Sequence, residues 1–119
     1  MSQKDDMVFV QYILESIENI EKFSKGISKE NFIKNRLKQS AIIRELEIIG
    51  EASKNLSEDF RKEHNEIEWK PISGFRDKLI HHYFGLELNR VWNILEEDLP
   101  KLKKQIIIMK KDLELSSKS

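Results

Sequence analysis

From Met7 to Phe23 the apolar residues Val10, Ile13, Ile17, Ile20 and Phe23 return every three or four positions, the spacing of one stripe on an amphipathic helix. Gly26 is the expected stop, because its backbone freedom suits the end of a helix. Ser28 then precedes a longer periodic stretch. Phe32, Leu37, Ala41, Ile48, Ala52 and Leu56 fall on or near one face, and Ile42, Leu46 and Ile49 widen it. One helix from Ser28 to Leu56 with two buried sides is therefore expected. Gly50 lies inside this pattern, where glycine costs roughly 1 kcal/mol relative to alanine. It is either tolerated there or admits a neighbouring helix at close range.

The polar stretch Ser57 to Glu68 breaks the period and reads as a connector with one short helical turn, anchored by Trp69. Pro71 suits the first turn of a new helix, where its missing amide hydrogen is not needed. That helix carries Ile72, Phe75, Leu79 and Ile80 and is expected to end near Gly85. The last segment runs through Leu88, Val91, Trp92, Leu95, Leu99, Leu102, Ile106, Met109 and Leu113, with Ile107 and Ile108 beside the stripe. It predicts a helix of about 25 residues, and Pro100 predicts a kink or break within it. The fold class is all-α: an antiparallel up-and-down bundle of four main helices plus a short extra helical turn. Residues 1–115 form its single domain and residues 116–119 a frayed tail.

Composition narrows the chemistry. A chain of 119 residues fits one domain. The absence of cysteine removes disulfides, thiolate catalysis and Cys-based metal sites. Four glycines leave no phosphate-cradling Gly-rich loop. No apolar run approaches the roughly 20 residues of a membrane span, and no apolar block of a signal peptide follows the charged N-terminus, so a soluble, cytoplasmic protein is expected. The 21 basic and 21 acidic side chains cancel, so any nucleic-acid contact must come from a local patch. Residues 1–69 carry 11 basic and 14 acidic side chains, residues 70–111 nine and five. The second half is the basic one. There Lys78, Arg90, Lys101, Lys103, Lys104, Lys110 and Lys111 either line a path for a phosphate backbone or form an ordinary solvated face. Trp69 and Trp92 either pack in the core or stack on bases.

Arg76, Asp77, His81, His82 and Tyr83 concentrate the reactive groups, within the run from Phe75 to Gly85. On a helix, residues seven apart differ by roughly 20° of azimuth, so Arg76 and Tyr83 share a face, and Asp77 and His81 are neighbours one turn apart. Arg76 and His81 are about 140° apart and meet only in a cleft or across a symmetry-related copy. Imidazole exchanges protons near neutral pH, and guanidinium offers a charged donor fork to phosphate oxygens. Together they suit RNA cleavage. The histidine exchanges a proton with the ribose 2′-hydroxyl or the departing 5′-oxygen, the arginine stabilises the phosphorane, and Asp77 fixes the imidazole tautomer. No cofactor is required. The plain structural alternative is that Arg76 pairs with a carboxylate, His81 caps a helix end and Tyr83 packs. A metal held by His64, Asp77 and His81 is a weaker reading.

The run Arg76-x4-His81-x-Tyr83, inside Gly74-Phe-Arg-Asp-Lys-Leu-Ile-His-His-Tyr-Phe-Gly85, together with Ile49-Gly-Glu-Ala52 upstream and Val91-Trp92 and Asp98-Leu-Pro100 downstream, resembles the HEPN-domain toxins of the HepT type over residues 7 to 110. The resemblance implies an HEPN-like helical domain that dimerises so that two motif helices line a shared cleft. It implies a metal-independent endoribonuclease, the toxin of a toxin-antitoxin pair, with Arg76 and His81 catalytic; the residue chemistry and charge described above add Asp77 and His82 as supporting groups and Lys78 and Arg90 as candidate RNA contacts. The implied partner is a minimal nucleotidyltransferase antitoxin that transfers AMP to the motif tyrosine, here Tyr83, as a silencing modification. Asp77 stands where asparagine is common in that family and adds a negative charge beside the catalytic pair. The alternative function is a non-catalytic, nucleotide-binding or interaction subunit of a nucleotidyltransferase complex.

Overall fold

The computed structural model describes residues 3–74 and 88–118. Within them the chain is helical, with α1 at Gln3–Ser24, α2 at Lys29–Lys34, α3 at Arg36–Asn55, α4 at Glu58–Glu63, α5 at Trp69–Ser73, α6 at Leu88–Asn93 and α7 at Leu99–Lys118. A π-helical turn, Ile94–Asp98, joins α6 to α7. No strand occurs among the described residues, and the fold is an all-α bundle. None of its described helices is long and apolar enough to cross a membrane.

The first stripe reads through directly. Val10, Ile13, Ile17 and Ile20 are buried along α1, and Gly26, at φ 72°, turns the chain after it. The periodic stretch that follows is two helices, not one. Asn35 takes an extended conformation, φ −106° and ψ 94°, and its side-chain oxygen accepts from the Lys38 amide at 3.0 Å. An asparagine that bonds its own backbone in this way offers an alternative to helix continuation. Gln39 completes the break, since its Nε2 donates to the carbonyls of Phe32 at 2.9 Å and Ile33 at 2.8 Å. Those two carbonyls lie at the end of α2, where helical partners run out.

The break also resets the buried face of α3. Ile42, Leu46 and Ile49 are its fully buried apolar residues, Ala41 and Ile48 are half-buried, and Leu37 is 80% exposed. The positions expected only to widen the face are its centre. Gly50 is buried within α3.

α1 and α3 run antiparallel. Asp6 near the start of α1 binds the Ser57 amide at 2.8 Å and hydroxyl at 2.7 Å just beyond the end of α3, while Asn19 farther along α1 donates to Glu45 at 2.8 Å. α7 packs on the other side of α1, and Lys103 there meets Glu21 at 2.8 Å. The hydrogen bond that the Lys103 ammonium donates to the Glu21 carboxylate holds its pKa above the ordinary lysine value of 10.5. Lys103 thus belongs to an ion pair between helices, not to an open cationic face.

Pro100 neither breaks nor ends the last helix. The Leu99 amide reaches back five residues to the Ile94 carbonyl, and this wider turn gives the proline ring room against the preceding carbonyls. The helical run from Leu88 to Lys118 measures about 46 Å along its path at about 1.5 Å per residue, and the long dimension of the molecule is 50 Å. Its last described residue is Lys118. No glycine or proline follows Pro100 to stop it.

Candidate functional site

In the chain the motif segment lies between α5 and α6, and both are anchored in the bundle. Upstream, α4 is capped by Ser57, whose hydroxyl accepts from the Phe60 amide at 3.1 Å. The His64 ring packs on Phe60 with centroids 4.5 Å apart, and its Nδ1 lies 3.6 Å from Glu66. The Trp69 indole N–H donates to the His64 carbonyl at 3.0 Å. Trp69 is buried at 9% exposure, so it anchors the start of α5, as its place after the connector predicts, and does not offer a stacking face to bases. Pro71 is the third residue of α5, within the first turn where amide donors have no helical acceptor. α5 packs on α3 and closes at Gly74, whose amide bonds the Lys70 carbonyl at 3.1 Å.

Downstream, Val91 and Trp92 bury one side of α6. The Trp92 ring meets Phe32 of α2 with centroids 5.5 Å apart, an aromatic pair in the core and not a base platform. Arg90 is exposed on the same helix. Arg76, Asp77, Lys78, His81, His82 and Tyr83 lie outside the described residues. So do Phe75, Leu79, Ile80 and Gly85, and with them the helix expected to end there. Arg90 is the one member of the candidate set within them.

The surroundings of these two anchors have their own chemistry. Beside α5 a cavity of about 150 Å³ is lined by Glu66, Glu68, Asp98 and Lys101 with Pro71 and Ile72. Three carboxylates against one ammonium disfavour a phosphate there. Between α1 and α3 an apolar groove of about 470 Å³ is floored by Phe9, Tyr12, Ile48 and Ala52 and edged by Arg44 and Glu47. Among the described residues no group of three His, Asp or Glu side chains is placed to hold a metal ion. His64, weighed above as a ligand, is engaged by Phe60 and Glu66. Sequence reasoning missed this role of His64; an aromatic residue four positions before a histidine on a short helix was the available signal.

The two anchors and the segment between them fall inside a region, residues 13–109, that matches the family model described as ribonuclease HepT-like. The chain belongs to the HepT-like ribonuclease family. Among its relatives is a protein of Thermococcus cleftensis named "Probable ribonuclease HepT", 47% identical over 102 residues that cover 86% of this chain and 90% of the relative. A protein of Methanocaldococcus jannaschii named "Putative RNase" is 43% identical over 109 residues, covering 92% of this chain and 100% of the relative. A further protein of that organism, named "Gamma-glutamylcyclotransferase and putative RNase", is 42% identical over 112 residues. The match takes in 94% of this HepT-like chain and only 50% of that longer relative. No solved structure matches the chain. The all-α bundle is the fold that the HEPN resemblance implied.

Proposed function

We propose that this HepT-like protein is a metal-independent endoribonuclease toxin that cuts RNA through Arg76 and His81. The observation that carries the reading is the family match, which takes in the whole run Arg76-x4-His81-x-Tyr83. The chemistry follows from the residue types. The ribose 2′-oxygen attacks the adjacent phosphorus as its proton passes to a base, the bond from phosphorus to the 5′-oxygen breaks, and that oxygen takes up a proton. The products are a 2′,3′-cyclic phosphate and a 5′-hydroxyl. His81 serves one of the two proton transfers. Arg76 stabilises the charge that builds on the equatorial phosphate oxygens. Asp77 and His82 hold the imidazole and the substrate side of the cleft, and Lys78 and Arg90 contact the RNA backbone.

A homodimer completes the cleft in this reading, and a minimal nucleotidyltransferase antitoxin silences it by transferring AMP from ATP to Tyr83. An anionic adduct one face-repeat from Arg76 occupies the phosphate site and repels RNA.

The test is cleavage of a labelled structured RNA by protein whose intact mass shows no modification. Arg76→Ala and His81→Ala are each expected to cut at least about 100-fold more slowly, the scale of a lost general acid or charge donor, with thermal unfolding unchanged. Cleavage by either variant at the wild-type rate overturns the assignment of that residue. An unmodified wild-type protein that leaves a broad RNA panel intact overturns the nuclease reading in favour of the binding subunit.

A further inference from the structure

The acidic half of the chain hides a basic corner. Between Lys22 and Lys38 there are six cationic side chains and one carboxylate, a net charge of plus five inside a region that sums to minus three. The fold gathers this run at one end of the bundle. Gly26 turns the chain after α1, Asn35 turns it again between α2 and α3, and the two turns bring Lys25, Lys34, Arg36 and Lys38 around one groove of about 600 Å³. Asn31 and Asn35 also line it, and no carboxylate does. Lys34 is paired with Glu30 at 3.2 Å on the exposed surface of α2, a weak contact in water. Phe23 and Ile27 line the groove as well and give it an apolar wall.

The position of the corner matters as much as its charge. α2 packs on α6 through Phe32 and Trp92, and α6 is the first described helix after the motif segment in the chain, carrying exposed Arg90. A polyanion lying in the groove is therefore next to the helix that packs on α6. We propose that the groove bounded by Lys25, Lys34, Arg36 and Lys38 is a second docking site for the phosphate backbone of single-stranded RNA, separate from the motif. The identity of the polyanion rests on the ribonuclease reading. The cations take successive phosphates, the asparagine amides take ribose or phosphate oxygens, and Phe23 and Ile27 meet the less polar faces of the strand.

The experiment is titration of the full chain with a fluorescent 2′-O-methyl RNA strand, whose blocked 2′-oxygen prevents cleavage and separates binding from catalysis. The triple variant Lys25→Gln/Arg36→Gln/Lys38→Gln is compared with a control of equal charge change at exposed lysines outside the groove, Lys54→Gln/Lys62→Gln/Lys70→Gln. Each neutralised phosphate of a single strand contributes about 0.7 to the slope of log affinity against log salt. The corner variant is expected to lose about 2 from that slope and about tenfold or more in affinity at 0.1 M salt, while the control binds like the unaltered chain. Equal weakening by both variants, or none by the corner variant, overturns the proposal and leaves the nuclease reading untouched. Loss of binding by the corner variant supports the site even in a protein that cuts nothing. Vesicles rich in phosphatidylserine are titrated in parallel, and corner-dependent binding to them without binding to RNA overturns the proposal in favour of a membrane surface.

Discussion

Asp6 is a carboxylate that composition alone would place in water. It is buried and accepts from both the Ser57 amide and hydroxyl, so it ties the start of α1 to the end of α3. Hydrogen bonds to a charged acceptor are stronger than neutral ones, and their loss leaves the half-buried Ser57 amide without this acceptor. Asp6→Ala is expected to cost about 2 to 3 kcal/mol in urea unfolding, and a loss under about 0.5 kcal/mol would show that water replaces the carboxylate. Lys103 works the other way. Its ammonium is held above the ordinary value by Glu21, so the pair's contribution is fully present below the unfolded-state pKa and fades as pH rises through the folded one. The stability deficit of Glu21→Gln should stay constant from neutral pH to about pH 10 and shrink above it. Denaturant midpoints measured across that range check the sign, and a deficit that grows with pH contradicts it.

At the scale of elements, Pro100 gives the sharpest expectation. Inside a regular helix a proline costs about 3 kcal/mol. Here the turn before it is π-helical, with the Leu99 amide bonded to the Ile94 carbonyl, so the missing amide and the ring are accommodated in advance. Pro100→Ala should change stability by less than about 1 kcal/mol. A gain near 3 kcal/mol by urea unfolding would mean that the proline is strained where it stands. The Asn35 break belongs to the same class of local device. A capped two-helix corner replaces a straight helix, turns Leu37 outward and gathers Lys34, Arg36 and Lys38 at one end of the bundle.

For the molecule as a whole, the open question is how many copies act together. A single chain leaves Val8 and Tyr12 of α1 exposed beside the apolar groove that Phe9 and Ile48 line, and Ile108 and Leu115 exposed on α7. Exposed apolar residues in continuous patches mark contact surfaces more often than isolated ones do. Light scattering behind size exclusion is expected to give twice the 14.2 kDa chain mass. Only the single-chain mass at micromolar concentration would sink the homodimer and, with it, the shared cleft.

Period and spacing in the sequence by themselves determined the helical class, the stripe of α1, the Gly26 turn, the Trp69 anchor and the run Arg76-x4-His81-x-Tyr83. These are local properties, fixed by the geometry of a single helix or by the order of residues. Tertiary structure decided the rest among the described residues. The split at Asn35 depends on a side chain and on Gln39 reaching across to α2, and the continuity through Pro100 on a register shift that hydropathy does not encode. The burial of Asp6 depends on a partner 51 residues away. Each of these is settled by contacts between segments distant in the chain or by competition between side chain and backbone for one hydrogen bond. A pattern of apolar and polar positions carries neither.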